Sequence, residues 1–273
     1  MIKFTNKSSL LVLGYEILGV IMKIGLALSG GGSRGFAHLG ALKALNELGI
    51  KPCMITGTSA GSLVGALTAA GYSPDFIFET IQSLGIMNSL KFAFNRFGLF
   101  KMEKVEDIFL KYIPHNSFEK LKIPLTICAT DIEKGEAVYF SKGELIKPIM
   151  ASCSIPGIFE PIKFQGRVLV DGGIVNNLPT EPLEGICDFI IGINVTPVGN
   201  NMPINSARDV LMKSLYLAIR NTSGEKLKRC DVAIEPHEIY NYNGLSMSKA
   251  KEIYQLGYQN ALREAEGKLL RVL

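Results

Sequence analysis

The sequence is poor in the residues that build metal sites, disulfide frameworks and nucleic-acid surfaces. Its 273 residues include no tryptophan, three histidines and five cysteines. The histidines stand alone and no two cysteines form C-x-x-C, so we expect neither a structural zinc site nor a disulfide framework. No Lys/Arg-rich run with interleaved aromatic residues occurs, so a nucleic-acid partner is not expected.

Cysteine and charge are both sparse and spread out. The cysteines are odd in number and lie in apolar stretches such as residues 125–129, which favours buried free thiols in a reducing, cytoplasmic compartment. Charged residues make up 20% of the chain with a net charge of +4, a balance that permits attraction to an anionic membrane surface. Hydrophobic residues make up 47%, enough for one large domain with a substantial core.

The first 22 residues lack a clear targeting or membrane-spanning signal. An apolar run over residues 10–20 follows two lysines, yet Glu16 interrupts it and no A-x-A cleavage pattern follows. Met22 stands directly before the first predicted core strand. We therefore interpret residues 1–22 as an N-terminal extension, either a misassigned start or a loosely attached segment, and predict a single domain over residues 23–273. A weak membrane-associating segment is the alternative.

Strand and helix signals alternate from Met22 onward. Short apolar runs predict strands at residues 23–28, 53–56, 123–131, 168–170 and 189–195, with an edge hairpin at 136–141. Helical spacing fills the stretches between them, and closing helices are predicted over 207–220 and 248–265. Near-continuous apolar strands separated by helices predict an α/β fold, a three-layer sandwich with a mainly parallel central sheet flanked by helices.

The first predicted strand breaks into three glycines just before a helix begins. Gly30, Gly31 and Gly32 leave the backbone bare, so several N–H groups can point at one anion, either a phosphate or the oxyanion of acyl transfer. Together with Gly35 they also match G-x-G-x-x-G, the dinucleotide fingerprint. That fingerprint requires an acidic residue after the second strand, and residues 51–56 supply none.

A serine follows the second predicted strand within residues 57–61, Gly-Thr-Ser-Ala-Gly. G-x-S-x-G is typical of a nucleophile elbow, a tight strand-to-helix turn that exposes the serine hydroxyl. A short strand precedes Ser59 and an apolar helix follows it, as the elbow requires. The glycine turn on one strand and this serine on the next predict an acyl-transfer site rather than a nucleotide site.

Serine needs a base to remove its proton, and the sequence offers two arrangements. Asp171 ends an apolar predicted strand before two glycines, so we expect its carboxylate at the carboxyl edge of the sheet, beside Ser59. In a dry site such a carboxylate can act as the base directly, because desolvation raises its pKa. The chain order Ser59, Asp171, His237 also fits a Ser-His-Asp triad, so both arrangements stay open.

A phenylalanine-rich stretch, residues 86–100, has no clean period. One interpretation is an irregular connection whose aromatic side chains fall into the core. The other is a flap that meets lipid with Phe and Leu and headgroups with Lys91 and Arg96. Under the second interpretation the protein makes peripheral contact with a membrane.

Three motifs, with one further segment, resemble those of the patatin-like phospholipases. The motifs are residues 30–35, 57–61 and 171–173, and the segment is 151–161, Ala-Ser-Cys-Ser-Ile-Pro-Gly-Ile-Phe-Glu-Pro. They occur in the family's order over about residues 23–180. The resemblance implies a patatin-like α/β fold and an acyl hydrolase that cleaves lipid esters without a metal or cofactor.

The resemblance also implies roles for particular residues. Ser59 is then the nucleophile and Asp171 the proton acceptor, while backbone N–H groups around Gly30–Gly32 form the oxyanion hole. Arg34 either fixes that loop or meets a phosphate headgroup. The alternatives are a nicotinamide-dependent oxidoreductase that uses the glycine motif, a Ser-His-Asp esterase that uses His237, and a regulator or scaffold that retains the fold without catalysis.

Overall fold

In a computed structural model of the chain, the structure describes residues 22–84, 103–197, 204–242, 244 and 246–272. The strands are β1 (Ile24–Leu28), β2 (Met54–Thr58), β3 (Leu125–Asp131), β4 (Glu136–Phe140), β5 (Ile162–Phe164), β6 (Arg167–Asp171), β7 (Phe189–Ile193) and β8 (Val232–Ile234). The α-helices are α1 (Phe36–Glu47), α2 (Ala60–Ala69), α3 (Pro74–Leu84), α4 (Glu103–Tyr112), α5 (Ile146–Ser152), α6 (Ala207–Leu227) and α7 (Ala250–Val272). Within these ranges no helix is both long and apolar enough to cross a membrane. The predictions made for residues 1–21 and 86–100 lie outside the described residues.

One eight-stranded sheet runs through the described residues in the order β5-β6-β3-β2-β1-β7-β8, with β4 also paired to β3. The five strands from β3 to β8 in this order pair in parallel. β4, β5 and β6 add antiparallel pairs at one side. The predicted α/β fold with a mainly parallel sheet between helices is therefore confirmed. The antiparallel β4 corresponds to the edge hairpin predicted at 136–141, whereas β5 and the antiparallel direction of β6 were not predicted.

β1 lies near the middle of the sheet and is buried at every position. Leu26 and Leu28 pack into the large core cluster, whereas Ala27 packs into a smaller one with Leu178 and Ile190. A strand covered on both faces needs apolar residues at every position. That requirement explains why the sequence of β1 is a continuous apolar run rather than an alternation.

β3 brings together two strands that lie far apart in the sequence. Its first half pairs in parallel with β2, which places Thr58 opposite Cys128. Its second half pairs in antiparallel fashion with β6, which places Asp171 opposite Ala129. Because β4 occupies the other edge of β3 along the same stretch, β2 and β6 share one edge and meet end to end. Ser59 directly follows Thr58, so this register brings it to Asp171.

The direction of β6 corrects one argument drawn from the sequence. Asp171 was expected at the carboxyl edge of a parallel sheet because it ends an apolar strand. β6 instead runs antiparallel to β3, so Asp171 approaches the carboxyl end of β2 from the opposite direction. The expectation that Asp171 lies near Ser59 holds, but its cause is the shared edge of β3.

Helix α6 ends at Leu227 rather than at Arg220, and α7 also extends past its predicted end. Residues 221–224 of α6 are Asn-Thr-Ser-Gly, a run of weak helix formers that predicts an earlier end. The helix continues there with Ser223 buried and its hydroxyl accepting from the side chain of Asn177 at 3.1 Å. Tertiary packing here overrides local propensity.

The thiols differ from the prediction of a uniformly buried set. Cys128 and Cys153 are buried as predicted, whereas Cys187 and Cys230 are half-buried. The prediction is wrong for Cys53, which is exposed. That residue directly precedes β2, so it lies at the outer end of the sheet rather than inside it. All five cysteines are free thiols.

Candidate active site

Ser59 occupies a strained turn between β2 and α2. Its φ of 51° is in the left-handed region, which a non-glycine residue adopts only when its surroundings hold it there. The Ser59 N–H donates to Ser152 Oγ at 2.8 Å, and the Ser59 carbonyl accepts from the N–H and the hydroxyl of Ser62. A side chain at Gly61 would collide with the carbonyl of Leu28. The G-x-S-x-G pattern thus forms the predicted elbow.

The segment after α5 supports both predicted catalytic residues. The Ser152 hydroxyl, which accepts from Ser59, donates to the carbonyl of Cys128 at 2.6 Å. Two residues later the Ser154 carbonyl accepts the N–H of Asp171 at 2.9 Å. Sequence reasoning singled out this segment by resemblance but gave its serines no role. The segment lies between the serine turn and the aspartate strand and is hydrogen-bonded to both.

Asp171 is a desolvated carboxyl group, with only 6% of the residue exposed. Burial raises its pKa to about 6, while hydrogen bonds from the Ser59 side chain and from the Gly173 N–H act in the opposite direction. The charge of Asp171 in turn helps burial to raise the pKa of the nearby Cys128, Cys153 and Tyr216. Asp171 is therefore mostly ionised at pH 7 and remains basic enough to take a proton.

The first N–H group of the glycine turn is hydrogen-bonded within the protein. The N–H of Gly30 donates to both the carbonyl and the side-chain Oδ1 of Asn177, at 3.2 and 3.1 Å. The N–H groups of Gly31 and Gly32 meet no acceptor in the part of the chain that the structure describes. Gly32 has a φ of 59°, a conformation that favours glycine. Two of the three predicted donors are thus free to bind an anion, and the first is occupied.

Arg34 ties the glycine turn to the C-terminal part of the chain. Its Nε donates to the carbonyl of Tyr242 at 2.9 Å, and its Nη2 donates to the carbonyl of Tyr240 at 3.4 Å. The guanidinium also lies 5.7 Å from the ring centre of Tyr216. These contacts correspond to the loop-fixing alternative among the two roles predicted for Arg34.

An open cleft joins these groups. The glycine turn, Ser59 and Asp171 line it together with the polar residues Asn177, Thr196 and Tyr216. Its apolar lining comes from Ile155, Ile174, Leu215 and Ile219. A cleft with a polar end and an apolar side suits an ester whose acyl chain is hydrophobic.

The structure does not bring a histidine into this cleft. His237 has a side chain that is 73% exposed, with Nδ1 3.7 Å from a carboxylate oxygen of Glu235, and it is not among the lining residues. His38 is fully buried, and its Nε2 lies 2.8 Å from the carbonyl of Ser29, to which it donates. Burial lowers the pKa of His38 to about 4, so it is neutral at pH 7. Neither histidine is placed where it could remove a proton from Ser59.

Sequence reasoning missed several residues of the cleft, among them Asn177 and Tyr216. A signal for Asn177 was present, because two asparagines follow the Asp171 motif closely in the sequence. Tyr216 lies within α6, where helical spacing predicts packing and nothing marks one tyrosine as part of a site.

Comparisons with known proteins identify the family of the chain. A family model for patatin-like phospholipases matches residues 26–184. An uncharacterised NTE family protein of Mycobacterium tuberculosis is 35% identical over 208 residues, 74% of this chain and 57% of that protein. The lysophospholipase NTE1 of Kluyveromyces lactis is 29% identical over 280 residues, 86% of this chain and 18% of the fungal protein. The matches thus span little more than half of the mycobacterial protein and a small part of the fungal one.

Among solved structures, VipD from Legionella pneumophila is similar in fold. The match covers 90% of this chain and 67% of VipD, with a TM-score of 0.54 and 14% identity. At that identity the likeness concerns the fold alone.

Proposed function

Because the chain belongs to the patatin-like phospholipase family, we propose that it is a serine acyl hydrolase that cleaves carboxylic esters of lipids. One observation carries the proposal. Ser59, in an elbow turn, lines the same cleft as Asp171, a buried carboxyl group with a pKa of about 6. A nucleophile beside a base of near-neutral pKa is the minimum that ester hydrolysis by a covalent route requires.

In the proposed reaction Asp171 takes the hydroxyl proton as Ser59 Oγ attacks the ester carbonyl carbon. The carbonyl oxygen becomes an oxyanion, and the tetrahedral intermediate then collapses. The bond to the leaving oxygen breaks, and Asp171 returns its proton to that oxygen, so an alcohol or a lysolipid departs. Water attacks the acyl-serine with Asp171 again as base, which releases the fatty acid and restores Ser59.

We assign the oxyanion hole to the N–H groups of Gly31 and Gly32. Gly30 was also predicted to contribute, but its N–H already donates to Asn177. Preorganised donors of this kind cost no reorganisation when charge develops, and removing one costs about 10²–10³ in rate in comparable enzymes.

The proposed lipid contact lies on helix α6. Ile219 of this helix lines the cleft, whereas Val210 and Leu211 are exposed by 50% and 59%. A side chain at Gly157 would touch Leu211, and the nearby Ile155 lines the cleft. An apolar surface therefore continues from the cleft to the outside, as a substrate that leaves a lipid surface would require.

The decisive experiment measures turnover of a water-soluble chromogenic ester and of a panel of phospholipids. Since the fungal relative is named a lysophospholipase, the panel includes a lysophospholipid. The wild type is compared with Ser59→Ala, Asp171→Asn and, as a matched control, His237→Ala. We expect the first two variants to lose at least about 10³-fold in kcat and the third to stay within about twofold.

Each contrary result has a defined meaning. A wild type that hydrolyses no member of the panel would favour a regulator or scaffold with this fold. Loss of activity in His237→Ala with full activity in Asp171→Asn would favour the Ser-His-Asp alternative. Full activity in Ser59→Ala would overturn the proposal.

A further inference from the structure

Asn177 is almost completely buried, with 1% of the residue exposed, and its side chain contacts three parts of the fold. Its Oδ1 accepts the N–H of Gly30 at 3.1 Å. Its Nδ2 donates to Thr196 Oγ1 at 2.9 Å and to Ser223 Oγ at 3.1 Å. One carboxamide therefore joins the glycine turn, the segment after β7 and helix α6.

The directions of these hydrogen bonds allow only one orientation of the carboxamide. The Thr196 hydroxyl donates its proton to Asn194 Oδ1 at 2.8 Å, and the Ser223 hydroxyl donates to the carbonyl of Ile219 at 3.1 Å. Each hydroxyl has thus used its single proton and can only accept from Asn177. The amide nitrogen must face the two hydroxyls, so the amide oxygen must face the glycine turn.

We propose that Asn177 is a positioning residue for the oxyanion hole. By holding the N–H of Gly30, its fixed carboxamide orients the turn so that the next two N–H groups, those of Gly31 and Gly32, face the cleft. Asn177 also follows Asp171 closely in the chain, so the segment after β6 carries both the proposed base and this side chain. This inference rests on the proposed hydrolase function and adds a residue to its machinery.

The first test is Asn177→Ala, with Asn260→Ala as the matched control. Asn260 is also a buried asparagine, but it lies on α7, away from the cleft-lining residues. With the water-soluble ester we expect Asn177→Ala to lower kcat about 10- to 100-fold while KM changes less than about threefold. That loss lies below the full cost of a deleted donor, because the Asn177 carbonyl still accepts from Gly30.

The outcomes separate this inference from the proposed function. A wild type without esterase activity means that the proposed function fails. An active wild type with equal kcat in Asn177→Ala, or with equal losses in Asn177→Ala and Asn260→Ala, overturns the role of Asn177 alone. Thermal melting of each variant identifies losses that come from unfolding.

A milder variant covers the case in which Asn177→Ala does not fold. Ser223→Ala removes one acceptor of the Asn177 amide from outside the cleft lining. We expect it to fold and to lower kcat about threefold, because the carboxamide keeps its bond to Thr196. No change in kcat with native stability would contradict the proposal.

Asn177→Asp tests how close residue 177 lies to the proposed base. A side chain at Gly173 would collide with Oδ1 of both Asn177 and Asp171, so these oxygens lie within about 6 Å of each other, close enough for a like charge to raise a carboxyl pKa. We expect the acid limb of kcat, which reports Asp171, to move upward by about one pH unit. Cys128, Cys153 and Tyr216 have raised pKa values and stay neutral in this range. If the pH at which kcat falls on the acid side does not move, the short distance between residues 177 and 171 is contradicted.

Discussion

The two walls of the cleft are built in different ways. One wall consists of strand ends and tight turns, where Ser59, Asp171 and Asn177 are buried and hydrogen-bonded. The other is helix α6, which lines the cleft with apolar side chains and exposes Val210 and Leu211 to solvent. The difference separates two tasks. In the proposed reaction the first wall holds the atoms that react, and the helix offers an apolar surface to the lipid.

The largest expected effect comes from neutralising the base in the first wall. Asp171→Asn should lower kcat at least about 10³-fold, because the amide cannot take the serine proton. The same variant should be more stable than the wild type at pH 8. Burial raises the pKa of Asp171 from 3.8 to about 6, so ionisation opposes folding, and the cost grows between about pH 4 and pH 6 and is constant above.

Denaturant unfolding at two pH values measures the stability that Asp171→Asn is expected to gain. At pH 8 the free energy of unfolding of Asp171→Asn should exceed that of the wild type by about 1–3 kcal/mol. At pH 4 the wild-type carboxyl is protonated in the folded state, so the advantage should largely vanish. Equal stability at pH 8 would mean that Asp171 is not desolvated.

The pH dependence of wild-type kcat tests the raised pKa of Asp171 without a substitution. Since Asp171 must be ionised to act as a base, kcat should fall below its pKa of about 6. At pH 5 we expect kcat about tenfold below its plateau, measured with the water-soluble ester. A midpoint near pH 4, the ordinary value for aspartate, would contradict a dry site.

A smaller effect is expected from the support behind the elbow. Ser152→Ala removes the acceptor of the Ser59 N–H, so the strained turn is held less firmly and kcat should fall about fivefold to tenfold. The matched control is Ser154→Ala, because the Ser154 hydroxyl donates only to Met150 and its carbonyl still holds Asp171. Equal effects of the two variants would argue against a specific role for Ser152.

The smallest effect on hydrolysis should come from substitutions on the outer face of α6. Replacing Val210 and Leu211 by Ser should weaken binding of an inactive Ser59→Ala protein to phospholipid vesicles about threefold to tenfold, as measured by co-sedimentation. In the active protein, hydrolysis of the water-soluble ester should stay within about twofold. Ile186→Ser is the control, because Ile186 is also exposed, by 55%. It precedes the first residue of β7, at the end of the strands away from the cleft. If Ile186→Ser loses as much vesicle binding as the α6 variant does, the proposed lipid contact on α6 is contradicted.

The first wall was largely predictable from the sequence because its features are local. The strand, the turn and the helix around Ser59 follow from residues adjacent to it, and the turn has the predicted form. The glycine turn has the same local character. The catalytic roles of Ser59 and Asp171 stay predictions that the proposed assays test.

The direction of β6 and the contacts of Asn177 and α6 depend on pairings between residues far apart in the sequence. A local sequence pattern does not show such pairings. β6 runs antiparallel to β3, and nothing in its apolar sequence gives a direction. Asn177 bonds to Gly30 across 147 residues and to Ser223 across 46, so its role is invisible without the fold. Helix α6 contributes apolar side chains to the cleft, and apolar residues at helical spacing predict packing in any helix.

The register of β3 with its two neighbours sets the position of Ser59 relative to Asp171. Thr58 and Asp171 pair with consecutive residues, Cys128 and Ala129, so the gap between serine and aspartate is set by one step of a third strand. A slip of β6 by two residues would keep its side chains on the same face but carry the carboxylate about 7 Å away. Recovery of hydrolysis during refolding would therefore report when β3 has acquired both neighbours in register.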